Sequence, residues 1–116
     1  MSPEAERIKK RLEKERRQAQ ERRSKAQAFA RTLSQEMAKA DPSLNAVIGF
    51  GSTFETWRNY RKDSDIDLAI LGGNWGLLWS MIPQNEFAVS LIELDIQPEA
   101  FAEHIRTHGV ILYEKR

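Results

Sequence analysis

Asp65-Ile66-Asp67 is the pair of residues in this sequence whose type and spacing speak most directly of chemistry. In an extended chain, alternation puts both carboxylates on one face, ~6.5 to 7 Å apart, while Ile66 points the other way. Two like charges so placed repel unless a cation lies between them. A hard, oxygen-seeking ion such as Mg²⁺ or Mn²⁺ fits that need, and a pair of such ions ~3.5 to 4 Å apart can clamp a triphosphate during in-line transfer. The competing reading is a turn in which Asp65 caps the chain or pairs with Arg61 or Lys62. Thirteen positions upstream, Gly51-Ser52 closes an apolar run and opens a new element. Glycine there lets a phosphate approach the backbone, and exposed N–H groups and the Ser52 hydroxyl can donate to it. A tight turn with a serine cap accounts for the same two residues.

Weaker candidates surround this core. His104 and His108 stand four apart at a spacing that can bind metal, although a solvated helix face explains them more simply. Trp57, Tyr60, Trp75 and Trp79 could stack on a base or pack in a core. Arg58, Arg61 and Lys62 could supply positive charge to a nucleotide.

The elements that must position these groups follow from breakers and periodicity. Ser2-Pro3-Glu4 is a helix start, and no breaker follows until Asp41-Pro42. Glu6 with Lys10, Glu13 with Arg17 and Glu21 with Lys25 sit at i,i+4 spacing in the favourable orientation. Only the later part of this helix, with Phe29, Ala30, Leu33 and Met37, has a clear apolar stripe to dock. Beyond Pro42 the pattern predicts a strand over 45–50, a short helix over 53–60, and a strand over 66–71. A helix capped by Asn74 should then run through Ile82, before a third strand over 87–96. A helix opened by Pro98 and a closing strand over 110–113 complete the order. Such alternation argues for an α/β (α+β) fold, a small mixed sheet with helices packed on one face, preceded by the long charged helix.

Charge divides the chain in the same place. Residues 1–40 hold 12 Lys and Arg against 6 Glu, while residues 41–116 hold 6 Lys and Arg against 11 Asp and Glu. The expected organisation is a basic, partner-docking helical extension over 1–40 and a compact domain over 41–116. Nucleic acid is not the favoured partner of the basic helix, because it lacks stacking aromatics near its arginine pairs and is interspersed with glutamates. Cysteine is absent, which excludes disulfide frameworks, thiolate metal sites and cysteine nucleophiles. The longest uncharged stretch, 68–85, is broken by Gly72, Gly73, Gly76 and Pro83, so no membrane span is expected. With no apolar leader near Glu4, a soluble, cytoplasmic protein is expected.

Taken together, Gly51-Ser52, an intervening segment and Ser64-Asp65-Ile66-Asp67-Leu68 resemble the signature of the DNA polymerase beta nucleotidyltransferase superfamily. The likeness is to its minimal nucleotidyltransferase (MNT) branch in particular. The resemblance covers residues 45–113 and implies that Gly51 and Ser52 contact the triphosphate while Asp65 and Asp67 bind divalent metal. It also implies a third acidic residue on the third strand, completing the metal site and helping to deprotonate the attacking hydroxyl. Ser90 falls at that position, with Glu93 and Asp95 as nearby surrogates. Thr53-Phe54-Glu55-Thr56 stands where the family often carries Arg and Gly, and the interval to Asp65 is longer than usual. The activity so implied is transfer of a nucleotidyl group from a nucleoside triphosphate, ATP, to a hydroxyl of a protein or other acceptor. Arg61 would be a further nucleotide contact. The partner expected by resemblance is a separate helical HEPN or substrate-binding protein, as in toxin–antitoxin pairs; the N-terminal helix, too sparsely apolar over its first two-thirds to pack on its own domain, is expected to dock on another chain, a second copy or an acidic helical partner. A nucleotide- or partner-binding module with weakened catalysis is the alternative.

Overall fold

The structure, a computed structural model, describes residues 2–61 and 63–116; Lys62, one of the candidate nucleotide contacts, lies outside the described residues. Helix α1 spans Pro3–Ala40 and is followed by β1 (Leu44–Phe50), β2 (Ile66–Gly72) and α2 (Trp75–Ser80). Strand β3 (Val89–Glu93), a short 3₁₀ turn (Leu94–Ile96), α3 (Glu99–His108) and β4 (Val110–Glu114) complete the chain. The α1 start is built as its residues dictate: the Ser2 hydroxyl accepts from the Ala5 N–H, and Pro3 occupies the first turn. Asn74 caps α2 in the same manner by accepting from the Leu77 N–H. The i,i+4 charge pairs expected along α1 do not close: none of them appears among the ion pairs of the described residues.

The four strands lie in the order β3-β2-β1-β4, with β2 and β3 parallel and the other neighbours antiparallel. Ile66, Leu68 and Ile70 of β2 face Ala26, Ala30, Leu33 and Met37 of α1 and Leu78 of α2 in the larger core. Ala69, with Ile48 and Phe50 of β1, faces the other way and packs on Leu94, Ala102 and Ile105. The expected α/β class with a long N-terminal helix is present. Helices α1 and α2 share one face, and α3 covers the opposite one. Ala102 and Ile105, the apolar stripe of α3, bury against that smaller core.

Two local differences bear on function. The segment 53–60 is a series of turns rather than a helix, closed by Phe54 N–H and Glu55 N–H bonds to the Gly51 carbonyl. Thr53, Phe54 and Glu55 are three consecutive buried side chains, which a helix with one inward face cannot supply. The Phe54 ring enters the larger core across Gly49, where a Cβ would stand only 2.5 Å from its ring carbons. The third strand is also shorter than expected, because the chain turns into the 3₁₀ segment at Leu94. Among the described residues, no helix is long and apolar enough to cross a membrane.

Candidate functional site

The site forms on the α3 face, where β1 ends and β2 begins. Strand pairing sets Phe50 opposite Asp67 on one side and Ser90 opposite Asp67 on the other, giving a row Phe50, Asp67, Ser90 across three strands. Gly51 follows Phe50 with φ of +74°, a conformation that strains any residue with a Cβ. A Cβ on Gly51 would also run into Asp67 Oδ2, so the glycine gives the turn its shape and lets it lie against the carboxylate. Asp65 sits in the exposed approach to β2, its carbonyl accepting from the buried Thr53 hydroxyl at 3.1 Å. Thr53 is anchored in turn by Gln27 of α1, whose side-chain amide donates to the Thr53 carbonyl at 2.8 Å. The middle of α1 thus holds the turn that carries Gly51 and the start of β2.

Electrostatics mark Asp67 out. Burial, then the charges of Asp65 and Glu55, raise its pKa from 3.8 to about 6, against a smaller opposing pull from Arg58. Among the described residues neither Asp65 nor Asp67 is in an ion pair. The site therefore concentrates negative charge that the chain's own cations leave largely uncompensated.

Glu55 is the residue that sequence reasoning missed. Its carboxylate is 1% exposed. Oε2 accepts from the Gly51 N–H at 2.5 Å, while Oε1 accepts from His104 Nε2 at 2.7 Å and lies 3.5 Å from Arg58 Nε. This one side chain ties the glycine turn to α3, and it makes His104 a half-buried partner instead of the solvated residue expected. His104 lies beside His108, ring centroids 4.8 Å apart, and His108 in turn meets the Trp57 edge at 5.3 Å. The signal available in the sequence was an acidic residue four positions beyond Gly51, close enough to fold back on its amide.

The other candidates are placed elsewhere. Glu93 shares the parity of Leu91, on the α1 face of β3, and Asp95 is an exposed residue of the 3₁₀ turn. Arg61 is exposed, and its backbone exchanges hydrogen bonds with Ser64 in a tight turn. No ion pair joins it to Asp65 among the described residues. Tyr60 lies under the Arg23 guanidinium, 5.1 Å from its ring centroid. Trp75 and Trp79 stack on one another at 5.4 Å, with the Trp75 indole N–H bonded to the Leu91 carbonyl.

A two-carboxylate donor set without imidazole or thiolate suits a hard divalent cation that draws its remaining ligands from water and phosphate oxygens. Among the described residues no group of three or more His, Asp or Glu could hold a metal by itself, so Asp65 and Asp67 would share any ion with a ligand. The half-buried Ser52, beside Gly51, lies at the mouth of the same turn.

Comparison with known proteins places this arrangement in a family. Residues 34–116, most of the chain, match the family model described as polymerase beta, nucleotidyltransferase. No curated protein sequence matches the chain. Among solved structures, a toxin–antitoxin structure with AMP-PNP superposes with a TM-score of 0.59 at 20% identity, covering 74% of each chain. The toxin–antitoxin MntA-HpeT, in a mutant form, gives 0.52 at 19% identity over 70% of each. A Sulfolobus solfataricus protein assigned as a nucleotidyltransferase gives 0.59 at 19% identity, covering 84% of this chain and 87% of the other. At these identities the structures speak for the fold, and the family model speaks for descent: the chain belongs to the polymerase beta nucleotidyltransferase family.

Proposed function

We propose that this chain binds a nucleoside triphosphate, ATP, with a divalent metal, and transfers its nucleotidyl group to a hydroxyl of a protein acceptor. In this reading it is the MNT half of a two-protein module whose other half is a helical protein. The observation that carries the reading is the Asp67 carboxylate pressed against the glycine turn, beside Asp65, in a site with excess negative charge. Family membership and an AMP-PNP-containing structural neighbour support it.

Asp65 and Asp67 would hold Mg²⁺ or Mn²⁺, which when bound neutralises the triphosphate and aligns it for in-line attack. The Gly51-Ser52 turn would receive the phosphates. Because the Gly51 N–H is already given to Glu55, the donor left by the side chains of that pair is the Ser52 hydroxyl. Arg58, half exposed above Glu55, and Arg61 would add positive charge at the rim. The acceptor oxygen forms its bond to the α-phosphorus as the bond to the departing pyrophosphate breaks, and the hydroxyl proton passes to water. Ser90 puts a hydroxyl where a third carboxylate would receive that proton, so turnover is slow.

That same placement of Ser90 favours a second reading, a module that keeps nucleotide affinity and has lost transfer. Calorimetric titration with a non-hydrolysable ATP analogue should give Mg²⁺-dependent binding that is abolished by chelator and weakened at least 100-fold in Asp65→Asn/Asp67→Asn. Equal affinity in wild type and the double variant removes the metal site. Transfer to a protein acceptor should rise at least tenfold in Ser90→Asp and stay unchanged in Glu93→Gln and Asp95→Asn. Binding without transfer in both wild type and Ser90→Asp selects the second reading.

A further inference from the structure

The apolar stripe by which α1 docks on its own sheet does not stop where the domain stops. At 100° per residue, Ala5, Ile8, Leu12 and Ala19 fall on the same side of the helix as Ala26, Ala30, Leu33 and Met37. The second group is buried in the larger core. The first group runs on into solvent, with Ile8 51% and Leu12 46% exposed. The molecule is accordingly drawn out to 60 Å along one axis against 30 and 22 Å along the others. A groove of about 390 Å³ lies along this projecting stretch, lined by Ala5, Ile8, Lys9, Leu12, Glu13 and Arg16.

The shoulders of the stripe say what can cover it. Lys9 and Arg16, with Glu13 between them on the groove's rim, flank it on one side and Arg11 on the other, while Glu6 is turned to the back. Among the described residues, none of Lys9, Arg11 and Arg16 is in an ion pair. A second copy of α1 would set these shoulders against each other: Lys9 and Arg16 against themselves in an antiparallel pair, Arg11 against Arg16 in a parallel one. Glu15 lies within the stripe, so an antiparallel pair centred on it would also oppose two glutamates. Nucleic acid fits no better, because phosphates drawn to the shoulders would strand Ile8 and Leu12 between them.

We infer that residues 5–19 of α1 are a docking surface for an amphipathic helix of a separate protein, one with acidic shoulders and a basic residue opposite Glu15. Fourteen steps at 1.5 Å give a seam of about 21 Å, which a partner helix of about 15 residues would cover. The two cores of the domain lie elsewhere, so the surface is available while the nucleotide site is formed. This inference rests on the two-protein half of the proposed function and is independent of its nucleotide half.

The test uses the full chain and two synthetic helical peptides with the same Leu/Ala seam, one with Glu shoulders and one with Lys shoulders. Fluorescence anisotropy should show binding of the Glu-shouldered peptide, at least tenfold weaker binding of the Lys-shouldered one, and weakening as salt is raised. Lys9→Glu/Arg16→Glu should invert that preference, and Ile8→Glu/Leu12→Glu should abolish binding of both, with the helical circular dichroism retained. Sedimentation velocity of the chain alone should show a monomer. A dimer dissolved by Ile8→Glu/Leu12→Glu would assign the surface to a second copy, and tighter binding of a DNA duplex than of either peptide would assign it to nucleic acid. Either result overturns the inference, as does equal binding of the two peptides or binding of neither. Magnesium-dependent nucleotide titration of the same variants should be unchanged, so loss of the docking surface and loss of the nucleotide site read out separately.

Discussion

The two faces of the sheet are built to different rules. On the α1 face, Ile66, Leu68, Ile70 and Leu91 meet Ala30, Leu33, Met37 and Leu78 in one continuous apolar layer. On the α3 face the apolar layer is smaller, and it gives way at one end to Asp67 and Ser90 in the same strand row, with Glu55 and His104 beside them. Adjacent residues of a single strand thus serve opposite ends: Leu68 is buried in the larger core, and Asp67 carries a carboxylate whose charged form burial disfavours. A four-stranded domain can tolerate the second because the first is well packed.

The contrast is broken or upheld first by a matched pair of cavities. Leu68→Ala and Leu94→Ala remove the same atoms from positions that are 0% and 1% exposed. Leucine truncations in cores cost about 2 to 5 kcal/mol, with the spread set by how far the surroundings collapse into the cavity. Leu68, central in β2 and walled by strands and α1, should fall at the upper end. Leu94 lies in a three-residue 3₁₀ turn that can shift inward, and should fall at the lower end. Urea denaturation of the metal-free proteins measures both, and the reverse order would mean that the α3 face is the structural one.

A smaller effect is expected at Glu55, where the two faces are tied through the turn. Glu55→Ala leaves the Gly51 N–H and His104 Nε2 without their acceptor in a closed space, at a cost of about 1 to 3 kcal/mol. Glu55→Gln keeps an acceptor for Gly51 and should cost less than half as much. Both remove a negative charge near Asp67 and should lower its pKa from about 6, seen as tighter metal binding at pH 5.5 than in wild type. Equal stability of wild type and Glu55→Ala would show that the carboxylate does not hold the turn.

How much of this was legible in the sequence varies with the range of the interaction that decides each feature. The bounds of α1 follow from Ser2-Pro3 and Asp41-Pro42, the α2 start from Asn74, and the strands from local alternation, all of which are short-range effects. Over 53–60 local pattern alone predicts a helix, because the packing of Phe54 across Gly49 and of Glu55 against His104, which makes turns of it, is decided by contacts beyond the local window. An amphipathic stripe says which side of a helix is apolar, but it does not say which side of the sheet that helix covers. The expectation of helices on one face therefore fails at α3, which packs on the smaller core. The closeness of Gly51 and Asp67 became readable only through the β1–β2 register, which joins Phe50 to Asp67.

The finest test of the contrast is the proton on Asp67. An aspartate whose pKa is 3.8 in the unfolded chain and about 6 in the folded one binds its proton more tightly when folded. Between those values the folded state holds more protons than the unfolded state, so stability falls as pH rises, and the loss is complete above about pH 6. The full shift corresponds to about 3 kcal/mol, and because Asp67 is partly open to solvent, screening should reduce the measurable effect to about 1 to 2 kcal/mol. Asp67→Asn cannot ionise, so in chelator it should be more stable than wild type by that amount at pH 8, with the gap closing towards pH 4. Added Mg²⁺ should narrow the gap at pH 8 by stabilising the wild type alone, since a ligand that binds only the folded state adds to its stability. A gap that does not change with pH would show that packing or hydrogen bonding, and not charge, distinguishes the two side chains. An Asp67→Asn protein less stable than wild type at pH 8 would mean that the carboxylate helps to hold this face together, and the division between a stabilising face and a chemical one would fail at the residue on which it depends most.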